Sequence, residues 1–341
     1  MSDDTIQVTA PTANPWFGGF RKKKARTTHP FWVMVGKEMA DHVRSWRFIL
    51  LLALLALACV GSLYTALSNL GSSIKAIDAE DAFFFLRLFT VSDGSMPSFM
   101  VFISFLGPIL GIALGFDAIN SEQNRGTLSR VLSQPIHRDY LINSKFVAAL
   151  IIIGVMLFAL GFLVMGIGML VTGLVPTMEE FMRFFAFMLV SVLYVAFWLN
   201  LSLLFSVRFR QAATSALSGL SIWLFFTVFY QLIVQLLVKA VIPTTILTQQ
   251  RAAQYQYLLQ KWMSILPSQL YSDATTTLLM PKVRSLGPLT MEQMYGSIPS
   301  PLPLGQSLLV VWPQLTGLIA ATLLCFGISY LWFMRREVRA N

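Results

Sequence analysis

Charged side chains are scarce in this sequence. Lys, Arg, Asp and Glu supply 12% of 341 residues, where a soluble domain carries about 25%. Cysteine is scarcer still. Cys59 and Cys325 are the only two, both inside apolar runs, with no second Cys or His at ligand spacing. A disulfide framework and a thiolate metal site are therefore excluded, which leaves small buried packing groups. The three histidines, His29, His42 and His137, are scattered, so no metal site can be argued. No G-x-x-x-x-G-K-[ST], H-E-x-x-H or G-x-S-x-G motif occurs. ATP binding by a P-loop, zinc proteolysis and serine-hydrolase chemistry are thus absent from this chain. The long apolar runs also lack carboxylates. A charge at mid-membrane costs at least ~2.5 kcal/mol and is kept for proton or ion relays, so its absence counts against an ion-coupled carrier. The first twenty residues hold Asp3 and Asp4 and no apolar core. No cleavable signal is expected there, and the first apolar run is expected to act as a retained anchor.

What is present is apolar: 56% of the residues are hydrophobic. Six stretches are free of Asp, Glu, Lys and Arg: 48–74, 94–116, 146–178, 184–207, 211–238 and 293–334. Each exceeds the ~20 residues that cross a bilayer as a helix. The pattern predicts an all-α membrane protein with six transmembrane helices near 48–69, 98–118, 145–173, 183–206, 212–238 and 307–333. The net charge is +9, but the basic residues sit between the spans. That placement points to anionic lipid and topology rather than to nucleic acid. Seventeen Lys and Arg fall in the N-terminal arm, the 117–145 passage, the 208–210 turn and the C-terminal end, against Lys75, Arg87 and Arg183 in the short loops of the other side. The positive-inside bias then makes both termini and the passage cytoplasmic.

The passage from Gly115 to Phe146 has the densest pattern of charge between two spans. It carries Asp117, Glu122, Arg125, Arg130, Arg138, Asp139 and Lys145, punctuated by Gly126 and Pro135. Thr127–Ser133 reads as a short helix, with Leu128, Val131 and Leu132 on one side and Arg130 on the other. Pro135 stops it, and a new helix starts near Asp139. The order Asp117, Glu122, Gly126-Thr127-Leu128, Val131-Leu132-Ser133, Pro135, Arg138, Lys145 resembles the cytoplasmic passage of ABC-type-2 transporter permeases, in particular the NosY-like branch.

The resemblance implies a coupling helix docked on a separate ATPase subunit, with ATP and Mg bound there and no cofactor in this chain. Glu122, Arg125 and Arg130 would contact the ATPase, and Leu128 and Leu132 would fill its groove. Gly126, Thr127 and Pro135 complete this ATPase-coupling set. The resemblance further implies export, a homodimer or heterodimer of permease subunits, and a place in the cell membrane.

The remaining segments fit this frame. Residues 1–30 read as a disordered basic cytoplasmic tail, including Arg21-Lys22-Lys23-Lys24-Ala25-Arg26, and 31–341 as one transmembrane domain. Phe31–Trp46 repeats Trp32, Val35, Met39, Val43 and Trp46 at helical spacing, with Lys37, Glu38, Asp41, Arg44 and Ser45 largely on the other side, an amphipathic helix in the membrane interface. By resemblance it is an elbow helix. Gly107, Gly111 and Gly115 recur every four residues, and two roles stay open for them: packing within the chain, or the seam of a dimer. Asn200, Gln231 and Gln235 are polar groups inside spans, read as interhelical hydrogen-bonding groups rather than substrate contacts.

Two segments lie outside. Leu70–Pro97 is expected to rest as a short helix on the outer surface, with Asp78 as its cap before Phe83-Phe84-Phe85. The long 239–306 segment is expected to form an outer cap, with an amphipathic helix over Gln249–Leu266. Pro281, Pro288, Pro299, Pro301 and Pro303 then impose extended or turning chain, and a further short helix is capped by Thr290 with Gln293. A non-transporting membrane scaffold of the same fold is the alternative function, and a secondary carrier is a third reading.

Overall fold

The computed structural model describes residues 29–73, 83, 85–91, 96–133, 137–173, 175–242, 249–281 and 302–335. The expectations for the tail up to residue 28, for Asp78, Pro135 and Thr290 with Gln293 lie outside these residues. Among them there are helices and no strands. In chain order they are α1 (Pro30–Val43), α2 (Trp46–Ser73), α3 (Arg87–Thr90), α4 (Phe99–Gly115), α5 (Asn120–Asn124), α6 (Thr127–Leu132), α7 (Arg138–Thr172) and α8 (Met178–Arg208). Then come α9 (Ala212–Leu224), a π-helical turn (Phe225–Phe229), α10 (Tyr230–Val241), α11 (Gln249–Met263), α12 (Pro267–Leu279) and α13 (Leu304–Arg335).

Six helical runs are long and apolar enough to cross a membrane: 46–68, 99–124, 138–172, 178–208, 212–241 and 304–335. They coincide with the six charge-free stretches because each stretch can satisfy its backbone only within a helix. Two start earlier than the charge pattern suggested. In α8, Thr177 and Glu180 form a reciprocal capping box, which starts the helix before Arg183. Residues 138–145 add two turns to α7. Lys145 and Arg183 therefore lie inside membrane-length helices, a correction to the expectation of spans bare of charge.

The fourth span, α8, is the most enclosed, with 67% of its apolar window buried, against 11% for the α9–α10 span. Small residues draw α4 onto it. A Cβ on Gly111 would stand 2.7 Å from the Val195 carbonyl oxygen, and one on Gly115 would stand 2.8 Å from that of Leu199. Gly107 faces Val195 and Tyr194. The glycine stripe thus faces α8 of the same chain and lets two backbones meet.

The outer segments pack more deeply than a surface layer. α3 is buried at its centre, while most of the helix expected after Asp78 lies outside the described residues. Leu88 and Phe89 are buried, and the Phe89 ring packs on Phe99, Phe184 and Phe187. The 239–306 segment does not simply cap the bundle either. α11 runs back along α10: the Tyr230 hydroxyl donates to the Trp262 carbonyl, 2.9 Å away, and Met263 and Leu266 pack on Val234 and Val238. After a turn, α12 inserts beside α8. Tyr271 is fully buried, stacks on Tyr194 at 4.4 Å and shares a 2.9 Å hydrogen bond with Ser191. Tyr194 lies sixteen residues into α8, about 24 Å from its start at 1.5 Å per residue. The hairpin is thus α10–α11, and α12 leaves it to enter the bundle against α8 and α13.

Candidate functional site

The 116–133 passage is an ordered structure fastened to the ends of the spans. Its backbone is held from α8: Ile119 N and Asn120 N donate to Ser206 Oγ at 2.9 and 3.3 Å. Asn124 Nδ2 donates to the Arg210 carbonyl at 3.0 Å. Asp117 pairs with Arg47 of α2, whose guanidinium lies 5.0 Å from the Phe116 ring centroid. Gly126 sits between α5 and α6 at φ +67°, a left-handed conformation that side chains with a Cβ adopt at a cost. It turns the chain so that α6 folds back.

Leu128 was expected to project outward into a partner's groove. It is instead 3% exposed, packed with Ile119, Leu141, Ile142, Leu203, Val207 and Phe333. A lone leucine at the start of α6 gains more by closing its own chain's core than by facing water. Glu122, expected to face a partner, also turns inward. Arg125, Gly126, Thr127 and Arg130 are exposed. α6 extends to Leu132, whose side chain, like Pro135, lies outside the description.

Glu122 turns inward because a cation awaits it. Lys145 Nζ donates to Glu122 Oε1 at 2.7 Å and to Glu38 Oε2 at 2.9 Å. The Lys145 side chain is 5% exposed, Glu38 10% and Glu122 14%. Glu38 was assigned to the polar, outward side of α1, yet it is buried beside Val35, while Trp32, Val43 and Trp46 are exposed. Burial alone would raise the Glu38 carboxyl. The Lys145 ammonium, through its charge and hydrogen bond, and Lys37 beside it hold Glu38 below the ordinary carboxylate range. The second Glu122 oxygen, Oε2, is buried with no hydrogen-bond partner among the described residues.

A cleft of about 650 Å³ opens next to this cluster, between α1, α2 and the end of α4. Its walls include Lys37, His42, Arg47, Asp117, Glu122 and Arg125. Burial pushes the His42 imidazole below its ordinary value.

The opposite end of the bundle carries a second buried cation that sequence reasoning had treated as a loop charge. Arg183 of α8 is 0% exposed. Its guanidinium donates to Glu179 Oε1 at 2.8 and 3.1 Å, to the Leu278 carbonyl at 3.2 Å, to Ser307 Oγ at 3.1 Å and to the Leu302 carbonyl. It thereby joins α8 to the end of α12 and the start of α13. Between the two ends lies a pocket of about 300 Å³ lined by Ser104, Phe105, Tyr194, Trp223, Gln231 and Tyr271, among others. Gln231 and Gln235 are exposed on α10, and buried Asn200 donates to the Thr322 carbonyl at 3.4 Å. Among the described residues no three His, Cys, Asp or Glu side chains group as a metal site.

Six helical spans with an ordered polar passage between the second and third define a multi-pass membrane protein. The chain belongs to the ABC-2 family of transporter proteins, whose profile matches residues 32–338. It is similar to the probable ABC transporter permease protein NosY of Pseudomonas aeruginosa, 29% identical over 204 residues, covering 58% of this chain and 66% of that protein. The protein of the same name from Stutzerimonas stutzeri is 27% identical over 199 residues, with the same shares. The matched region spans just under two thirds of the length of these curated relatives.

Proposed function

We propose that this chain is the membrane-spanning permease subunit of an ATP-driven ABC transporter. Two such subunits, identical or paired with a second kind, would work with separate ATPase subunits that hold ATP and Mg. The observation that supports this most is the 116–133 passage. It presents Arg125, Gly126, Thr127 and Arg130 to the outside on a mount built from α8, α2 and α7. A surface that must receive a push needs such a mount, because a mobile loop would absorb the motion. With the passage on the cytoplasmic side, both termini are cytoplasmic too, the location is the cell membrane, and the direction is export. The chain itself hydrolyses nothing.

Affinity purification of the tagged chain from its native membrane tests the reading. An ATP-binding subunit should co-purify and hydrolyse ATP. Arg125→Glu with Arg130→Glu should lower its recovery at least about tenfold, the size of a 1.4 kcal/mol change, while the permease still folds. Another stable partner with no ATPase, from a well-folded sample, would favour the scaffold reading instead.

A further inference from the structure

We infer that Lys145 is a positioning residue that locks the amphipathic helix α1 to the α5–α6 passage, so that the two move as one body when the passage is displaced. The inference rests on the coupling role proposed above and adds to it where the displacement goes. The geometry is a three-way junction. The ammonium comes from α7, one carboxylate from α1 and the other from α5. An ammonium has three donors, and two of them are spent on groups 107 and 23 residues distant in sequence. All three side chains are withdrawn from water, so salt screens them little.

Lys145 lies seven residues into α7, about 10 Å from its start at 1.5 Å per residue. The junction therefore sits behind the exposed passage. α1 presents Trp32, Val33 and Val43 outward, an apolar surface suited to the membrane interface. A push on the passage is thereby delivered to a helix lying against lipid as well as to the third span.

Distance measurements between spin labels test this in the full complex with its ATPase. Labels are placed at Ala40→Cys on α1 and Ser133→Cys just after α6, both exposed, in a background with Cys59→Ala and Cys325→Ala. With Lys145 present, the distance should be the same in the nucleotide-free complex and in the complex trapped with ATP. In Lys145→Met it should shift on ATP binding by more than about 5 Å, one helical turn. Where Lys145→Met fails to fold, Glu38→Met removes the acceptor and cuts only the α1 arm, leaves the Lys145–Glu122 pair, and should show the same shift. A nucleotide-dependent distance with Lys145 intact overturns the inference, as does an unchanged distance in both variants. Those failures occur in complexes that do bind an ATPase. A wild-type protein that binds none removes the coupling role itself.

Discussion

Among the described residues each end of the bundle holds one buried cation, and the two are compensated by different means. Lys145 is met by two side-chain carboxylates, Glu38 and Glu122, brought from separate helices. Arg183 is met by one carboxylate four residues away, a hydroxyl and two backbone carbonyls. A carboxylate can be protonated or replaced, whereas a carbonyl is present whatever residue stands there. The Lys145 junction is therefore adjustable, and the Arg183 junction is a fixed staple where α12 ends and α13 begins. Arginine suits the second task because its planar fork reaches several acceptors at once.

The largest effect should separate the two junctions. Arg183→Met and Lys145→Met each remove one partner from a buried ionic group, and each should cost about 3–5 kcal/mol of stability, read as a drop in thermal unfolding in detergent. Adding Glu38→Gln and Glu122→Gln to Lys145→Met removes the stranded carboxylates and should recover most of that loss. Adding Glu179→Gln to Arg183→Met should recover little, because the Leu278 and Leu302 carbonyls stay unpaired. Equal recovery in both would erase the distinction.

A smaller effect sharpens the adjustable end. Gly126→Ala meets nothing within 4 Å of its new Cβ, so its cost is backbone strain alone, about 1–2 kcal/mol. The same unfolding measurement reads it, and no change at all would mean the passage reshapes around the turn.

The smallest effect is with pH. Glu38 is held below its ordinary value, so its folded form binds protons less readily than its unfolded form. The stability it contributes is complete above pH about 4.5, its ordinary value, and is lost as pH falls through the lower folded value. Glu38→Gln should remove that share of the acid sensitivity, measured as the unfolding midpoint against pH. Arg183→Met should leave it in place.

Much of the fold was legible because membrane helices are marked by what they exclude. Stretches without charge, bounded by Arg47, Asp117, Lys145, Arg208 and Arg335, place the span ends to within two helical turns. The Thr127–Leu132 helix and its restart at Arg138 followed from Gly126 and Pro135. The helix after α11 was harder. α12 reads Pro-Ser-Gln-Leu-Tyr-Ser-Asp-Ala-Thr-Thr-Thr-Leu-Leu, a polar stretch whose one helix signal is Pro267 at its first turn. It is buried because Tyr271, Ala274 and Leu278 recur on one face. Leu128 was misplaced for a related reason: an apolar residue in a polar passage looks like a contact for a partner until the core behind it is visible. Pairing Glu38 with Lys145 required the fold itself. Local pattern put Glu38 on the wet side of α1, and a charge across 107 residues of sequence reversed it.

The π turn at Phe225–Phe229 gives the fifth span one wide coil in an otherwise regular helix. Such a coil takes in an extra residue, and a residue is worth about 100° of rotation around the axis. The azimuth of everything beyond it is set there. Val234 and Val238 point at Met263 and Leu266 because of that single surplus amino acid. Without it, the upper half of the span would turn its seam away, and α11 would have no wall to lean on.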